Sequence, residues 1–359
     1  MNTEFLNKLL AAKTPSGHEV NAKDVILNNL NESGTPYKLK FNDKAKNLCV
    51  SYGNENAIHR IMLSAHIDEI ALQVQYIDDK GFIHFVIDGG IDKKVLLGAT
   101  VTILSDKGEI NGIIGKKPIH VEYYEKEEEK DKATEIKDMK IDVGAESKAE
   151  ALEMGISIGD YITIRDIPMQ LGLNRFSGRG LDDKVGVYVA FEAFKQLAKL
   201  GLKNTEIYAV ACTQEETSAT GAVVSAAKIN PTISIDYDVT FATDDDYVSP
   251  NEWGDIKLGK GGAIAYGPDS NKELSKFVKN TCEKDGIPYQ EFSVFSGATD
   301  TVYIKQSSED AMTILLSIPN RNMHTQVEVC DYRDLESLIS MTVNTILRID
   351  NGEFNNELK

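Results

Sequence analysis

The sequence predicts an α/β protein, a mostly parallel sheet covered by helices on both faces and interrupted by a β-rich, barrel-like insertion. Two observations predict it. Across residues 1–70 and 169–359, helical periodicity alternates with short apolar runs, and strands separated by helices pair in parallel under helical cover. Across residues 71–168 the texture changes to period-2 alternation punctuated by turns, which reads as a small antiparallel barrel or sandwich. The chain therefore divides into a discontinuous α/β domain, 1–70 with 169–359, and an insertion, 71–168. No internal repeat competes with this reading.

Residues 3–13 and 19–33 read as helices parted by Thr14-Pro15-Ser16-Gly17, where Pro and Gly stop one helix and start the next. Apolar runs 47–51 and 58–65 read as strands, the second ending at His66. In the insertion, Leu72-Gln73-Val74-Gln75-Tyr76, Phe82-Ile83-His84-Phe85-Val86, Thr100-Val101-Thr102-Ile103-Leu104 and Tyr161-Ile162-Thr163-Ile164 alternate. The mixed-charge run Glu125-Lys126-Glu127-Glu128-Glu129-Lys130-Asp131 reads as a solvated loop, with an acidic recognition element as the alternative. Then follow a helix over 182–200, a strand over 205–213, a helix over 217–228 and a strand over 232–238. Residues 271–285 read as helix, 289–294 as extended, 311–318 as a buried strand and 331–348 as the closing helix.

With 42% apolar and 26% charged residues the chain can bury a core, which excludes disorder as its main theme. Lys and Arg number 39 against 56 Asp and Glu, a net charge of −17, and no basic stripe is visible, which excludes binding driven by a phosphate backbone. The start is an amphipathic stretch without a basic segment and apolar run, and no stretch approaches the roughly 18 apolar residues that span a bilayer. The expectation is a cytoplasmic protein with no membrane partner. Cys49, Cys212, Cys282 and Cys330 stand far apart in apolar contexts and read as buried reduced thiols.

Ligands gather at the carboxyl ends of strands in an open α/β sheet, so polar residues that appear as an apolar run stops are the candidates. Five places qualify. Ser64-Ala65-His66-Ile67-Asp68-Glu69 offers a His-x-Asp pair, in which His66 can bind a metal and Asp68 orient it, or His66 can be a satisfied core residue. Gly178-Arg179-Gly180-Leu181-Asp182-Asp183 enters a helix with adjacent carboxylates, which also suits an N-cap. Glu215-Glu216 follows an apolar strand, and two such carboxylates want a cation or a raised pKa. Ile233-Ser234-Ile235-Asp236-Tyr237-Asp238 ends on a carboxylate, and Ile318-Pro319 is followed by Asn320-Arg321-Asn322-Met323-His324. Together they supply two His and several carboxylates, the ligand set of a di-metal site.

In this order and at these separations the motifs resemble the cytosolic co-catalytic metallo-aminopeptidases, the family of glutamyl, deblocking and tetrahedral aminopeptidases. The likeness spans nearly the whole chain, including Asp142-Val143-Gly144-Ala145 and Gly297-Ala298-Thr299-Asp300. It implies a zinc-peptidase-like fold with metal ligands His66, Asp182, Glu216, Asp238 and His324, of which Asp182 bridges two metals. It further implies that Glu215 is the general base, Asp68 the orienting carboxylate and the Asp182-Asp183 peptide cis, and it makes Asp236 a decoy. The chain departs from the family pattern at Thr325-Gln326-Val327-Glu328, at Lys184 in place of a common Arg, and at Ala71 in place of a common Gly. None of these removes a ligand.

The implied activity is removal of N-terminal residues from short peptides with a free α-amine. Two divalent ions, zinc or cobalt with manganese as a third choice, acidify a shared water, and the metal hydroxide attacks while Glu215 handles the proton. The resemblance also implies dimerisation through the insertion and a tetrahedral dodecamer. It carries no side-chain preference, because acidic-, basic- and apolar-specific members share one metal set. The rival readings are a related di-metal carboxypeptidase or N-deacylase, and a non-catalytic assembly protein of the same fold.

Overall fold

The structure, a computed structural model, describes residues 2–122, 134–165, 168–294 and 299–354. The mixed-charge run 125–131 and Gly297-Ala298 lie outside the described residues.

Eight strands form the main sheet, in the spatial order Lys38–Asn42, Leu48–Gly53, Thr205–Cys212, His59–His66, Ile233–Phe241, Met312–Asn320, Gly262–Tyr266, Tyr289–Ser293. The four central strands, Thr205–Cys212 to Met312–Asn320, are parallel, as the alternation of helices and apolar runs predicts. Antiparallel pairing enters only outside them, where Leu48–Gly53 meets Thr205–Cys212 and Gly262–Tyr266 meets Met312–Asn320. Register aligns Cys212 with His66, Ser64 with Asp236 and Asp238 with Ser317, so the carboxyl ends of four strands arrive at one edge.

Side chains alternate between the sheet's faces. On one face Ile61, Leu63, Ala65, Ile235, Tyr237, Ile314 and Leu316 share a core with the helices Thr3–Ala11, Leu181–Leu200 and Tyr332–Asp350. Leu181–Leu200 is buried along most of its length, consistent with its largely apolar sequence. On the other face Met62, Val210 and Cys212 pack against Ala222 and Ala226 of the helix Thr220–Ile229 and Ile304 of the helix Asp300–Ser307. Caps bound the helices where the sequence signals them. Asn271 and Asp331 accept backbone N–H groups as N-caps, and Gly286, at φ 66°, ends Lys272–Asp285.

Three boundaries differ from the sequence reading. The helix expected from 182 opens at Leu181, but Asp182 and Asp183 have non-helical angles. The helix expected over 217–228 is two, Glu215–Ser218 and Thr220–Ile229, parted by Ala219 at φ 51°. The strand expected to break at Pro319 runs on to Asn320; Pro319 pairs with Thr240 on one side, and the Gly262–Tyr266 neighbour stops at Ser317, so no ladder bond needs the missing N–H.

Six strands of the insertion close a barrel in the order Ala71–Ile77, Ile83–Asp88, Ile141–Asp142, Gly108–Ile114, Thr100–Ser105, Tyr161–Ile164. Its inward residues, among them Leu72, Val74, Phe85, Val101, Ile103 and Ile162, form a core separate from that of the sheet. The four cysteines are free and buried. Among the described residues no helix is long and apolar enough to cross a membrane.

Candidate metal centre

His66 is the last residue of its strand, and Asp238 lies within the Ile233–Phe241 strand, on the neighbouring carboxyl end. Asp182 sits at a turn made by Gly180, at φ 59°, where a Cβ would press on the Glu69 carboxylate; the Asp182-Asp183 peptide is cis. Gln214 and His324 take left-handed backbone angles, φ 60° and 62°, just ahead of the Glu pair and at the imidazole itself. Such angles in non-glycine residues persist where the surroundings hold them. For His324 the hold is its backbone N–H, which donates to Glu328 Oε1 at 2.9 Å.

These residues converge. His66 Nε2 lies 3.1 Å from Asp182 Oδ1, and His324 Nε2 lies 3.2 Å from Asp182 Oδ2, so one carboxylate stands between two imidazoles. His66 Nε2 is also 4.0 Å from Asp238 Oδ1 and 4.0 Å from Glu215 Oε2, and His324 Nε2 is 3.6 Å from Glu216 Oε2. Two sets of possible ligand atoms lie within 4.8 Å of one another: His66, Asp183 and Asp238, and His66, Asp182 and Glu216. Asp68 meets the cluster from behind, its Oδ1 3.5 Å from His66 Nδ1. Its oxygens accept the backbone N–H groups of Glu215 and Glu216, and its carbonyl accepts from His66 Nδ1 at 3.2 Å.

The electrostatics of the cluster ask for cations. Burial lifts the Glu215 carboxyl to about 7, with His66 opposing and Asp182 and Asp68 adding to the rise. Glu216 and Asp238 are pushed well above the carboxylate range by burial and then by Asp182. Asp182 goes the other way, held low against its own burial by hydrogen bonds from His324 and His66. Burial opposes charge on His324, yet Asp182 and Glu216 carry it up to about 10. Glu216 Oε1 is buried with no hydrogen-bond partner. Two imidazoles among clustered, partly unpartnered carboxylates form a donor set that fits divalent metal.

Neighbours of the cluster divide sharply. Asp236 Oδ1 accepts from Ser64 Oγ at 2.7 Å and its Oδ2 accepts from Thr301 Oγ1 at 2.6 Å, so both its oxygens are already satisfied. The capping weighed for the Asp pair belongs to Asp183, whose Oδ1 accepts Gly186 N–H at 3.1 Å, while its Oδ2 is buried without a partner. Sequence reasoning gave Glu328 no role. It is buried, accepts the N–H groups of both Asp182 and His324, and is pushed up to about 8 by burial and Asp182. It also missed Gly90 of the insertion, whose carbonyl accepts from His324 Nδ1 at 2.7 Å. The cluster forms one end of a cavity of about 700 Å³.

Residues 46–341 match the model of the M42 glutamyl aminopeptidase family. This chain belongs to that family. The M42 chain is 33% identical over 344 residues to lysyl aminopeptidase of Pyrococcus furiosus, with 94% of each chain covered. Its fold is similar to that of a TET aminopeptidase from a marine-sediment Thaumarchaeota archaeon, at 28% identity, TM-score 0.89 and 98% of each chain covered. It is similar too to the TET1 peptidase of Pyrococcus horikoshii, at 31% identity and TM-score 0.84, over 95% of this chain and 98% of that one. That peptidase assembles into a tetrahedron or a large octahedral shell. The M42 chain is thus a peptide hydrolase of the aminopeptidase class, with a buried His and carboxylate cluster suited to a metal cofactor.

Proposed function

We propose that this M42 chain removes N-terminal residues from peptides by a di-metal mechanism. One divalent cation would be held by His66, Asp182 and Asp238, the other by Asp182, Glu216 and His324. The observation that carries this reading is the Asp182 carboxylate facing both imidazoles, at 3.1 and 3.2 Å. When bound, the cations supply Lewis acidity, which acidifies water and polarises the scissile carbonyl. Imidazole with carboxylate ligands suits zinc or cobalt, and manganese next.

Glu215 is the general base. Its carboxyl, shifted to about 7, takes the proton of the attacking water and returns it to the leaving amine, a service worth about 10² to 10⁴ in rate. Asp68 positions that base by fixing the backbone of Glu215 and Glu216. The free α-amine of the substrate is drawn to the carboxylates, which favours terminal over internal cleavage. We assign this chemistry to residues 1–70 and 169–359, and dimerisation to the insertion, 71–168. Following the TET relatives, the dimers build a dodecamer.

The test is hydrolysis of free-amine aminoacyl p-nitroanilides, with acetylated controls, by metal-stripped protein resupplied with zinc, cobalt or manganese. Metal-dependent turnover confined to free amines is expected. Cleavage of the acetylated forms would instead mark an N-deacylase, and silence with every metal a non-catalytic protein. Light scattering on a sizing column should give about twelve times the 39.6 kDa chain mass.

A further inference from the structure

The cavity at the metal cluster has two chemically different ends. At one stand His66, Asp182, Glu215, Glu216, Asp238 and His324. The other is walled by Phe241, Trp253, Phe292, Val294, Leu315 and Met323. The register explains the adjacency. Leu315 pairs with Asp236 and Ser317 with Asp238, so Leu315 and Ser317 share a sheet face with Asp238 and lie one strand away from it. Leu315 and Phe292 are buried and belong to one apolar cluster with Ile256, Ala263 and Ala265, which makes them a packed floor. Phe241 and Trp253 meet edge to face, 4.8 Å between ring centroids, and form a wall.

No Lys or Arg lines this cavity among the described residues. Outside the metal cluster the one acidic residue among those lining it is Glu252, which is exposed. We propose that the apolar end of the cavity receives the side chain of the substrate's N-terminal residue and selects a large apolar one, such as Leu, Met or Phe. This rests on the aminopeptidase reading above and specifies its substrate.

Magnitudes separate the three side-chain classes. An acidic side chain at the apolar end would meet no Lys or Arg among the described residues and would lose its hydration against Leu315 and Phe292. A basic side chain has, apart from the carboxylates assigned to the metals and the base, only exposed Glu252 to pair with among the described lining residues, and an exposed pair is worth at most about a factor of five. Filling an apolar pocket with the extra carbons of Leu over Ala is worth about tenfold to a hundredfold. The apolar class therefore wins.

The experiment compares kcat/KM of the wild-type, metal-loaded enzyme on the p-nitroanilides of Leu, Met, Phe, Ala, Lys and Glu. The expected result is Leu, Met and Phe at least tenfold above Ala, Lys and Glu. Lys or Glu equal to or better than Leu overturns the pocket while leaving the aminopeptidase reading intact, and so does Ala equal to Leu. Silence on all six defeats the reading on which the pocket rests. The variant Leu315→Trp, which fills the floor, should lower kcat/KM for Leu and Phe at least tenfold more than for Ala. Turnover of Ala in the same sample reports that the variant is folded. Equal losses for Leu and Ala, at an unchanged melting temperature, would remove Leu315 from the floor.

Discussion

Asp68 Oδ1 accepts the backbone N–H of Glu215 at 3.0 Å, so the residue two places after His66 holds the start of the turn that carries Glu215, the base we propose. Its second oxygen takes the N–H of Glu216 at 3.2 Å. Asp68→Ala abandons both donors, and partners of this kind are worth about 10- to 100-fold in activity. The expected outcome is a loss of that size in kcat at saturating metal, with KM changed less than threefold. Steady-state kinetics check it. A change carried by KM would mean that Asp68 acts on substrate and not on Glu215.

Glu215→Gln keeps the shape of the side chain and removes its basicity. We expect metal stoichiometry to stay as in the wild type while kcat falls by about 10² to 10⁴. Elemental analysis of the dialysed variant beside its turnover gives both numbers. Near-normal turnover would rule out Glu215 as the base.

Asp236 and Asp238 are two residues apart on one strand; both oxygens of Asp236 accept hydroxyl donors, whereas Asp238 Oδ1 stands 4.0 Å from His66 Nε2 and accepts the Val239 backbone N–H at 2.7 Å. Asp238→Asn should weaken metal binding at least tenfold by calorimetric titration. Asp236→Asn should leave metal affinity within about threefold, because its oxygens are engaged by Ser64 and Thr301. The reverse order would exchange their roles.

Beneath the site Glu69 is buried between cations. Its Oε1 accepts Thr14 N–H at 2.8 Å, and its Oε2 faces the Arg179 guanidinium and, at 3.1 Å, Lys184 Nζ. Burial pushes this carboxyl up, but Arg179 and then Lys184 outweigh it and leave the pKa lowered. A carboxylate lowered in the folded state contributes stability above its unfolded pKa and loses it as pH falls through the folded value. Arg179→Met should therefore cost about 3–5 kcal/mol at neutral pH. The gap from wild type should narrow below a pH of about 4.5, where the wild type gives up the same contribution. Urea unfolding of chelator-treated wild type and variant from pH 4 to 8 tests both parts. A gap independent of pH would assign the loss to packing alone.

Removing metal should unmask the repulsion among Asp182, Glu216 and Asp238. A ligand at a hundred times its Kd stabilises the fold that binds it by about 2.7 kcal/mol. Chelation should accordingly lower the melting temperature, and zinc or cobalt should restore it. A melting temperature indifferent to both would argue against a resident cation.

Much of this was legible before the structure. Strand ends announce themselves as apolar runs that stop at a polar residue, which is how His66, Glu215, Glu216 and Asp238 come to notice. Glu328 and Gly90 send no such signal. The Glu328 carboxylate accepts the Asp182 N–H across 146 residues and the Gly90 carbonyl accepts from His324 across 234, so one partner in each contact is a backbone group that any residue possesses. Asp183 was hidden by its neighbour, since both the capping role and the free oxygen belong to the second Asp of an adjacent pair. The strand order was likewise out of reach, because period and propensity do not say which strands meet. The split of the helix at Ala219 turns on one left-handed residue, and alanine gives no warning of it.

The hydrogen bond from His324 Nδ1 to the Gly90 carbonyl joins the barrel to the metal cluster. It leaves Nε2 facing Asp182 and Glu216, so the insertion sets the tautomer of that imidazole. A Cβ at residue 90 would lie 3.0 Å from Nδ1, so any other residue there would push the imidazole aside by a few tenths of an ångström. Barrel placement and cation affinity are in consequence linked equilibria. With a cation on the cluster, a contact that displaced the barrel would weaken its binding, and the cation would oppose that displacement by the same factor.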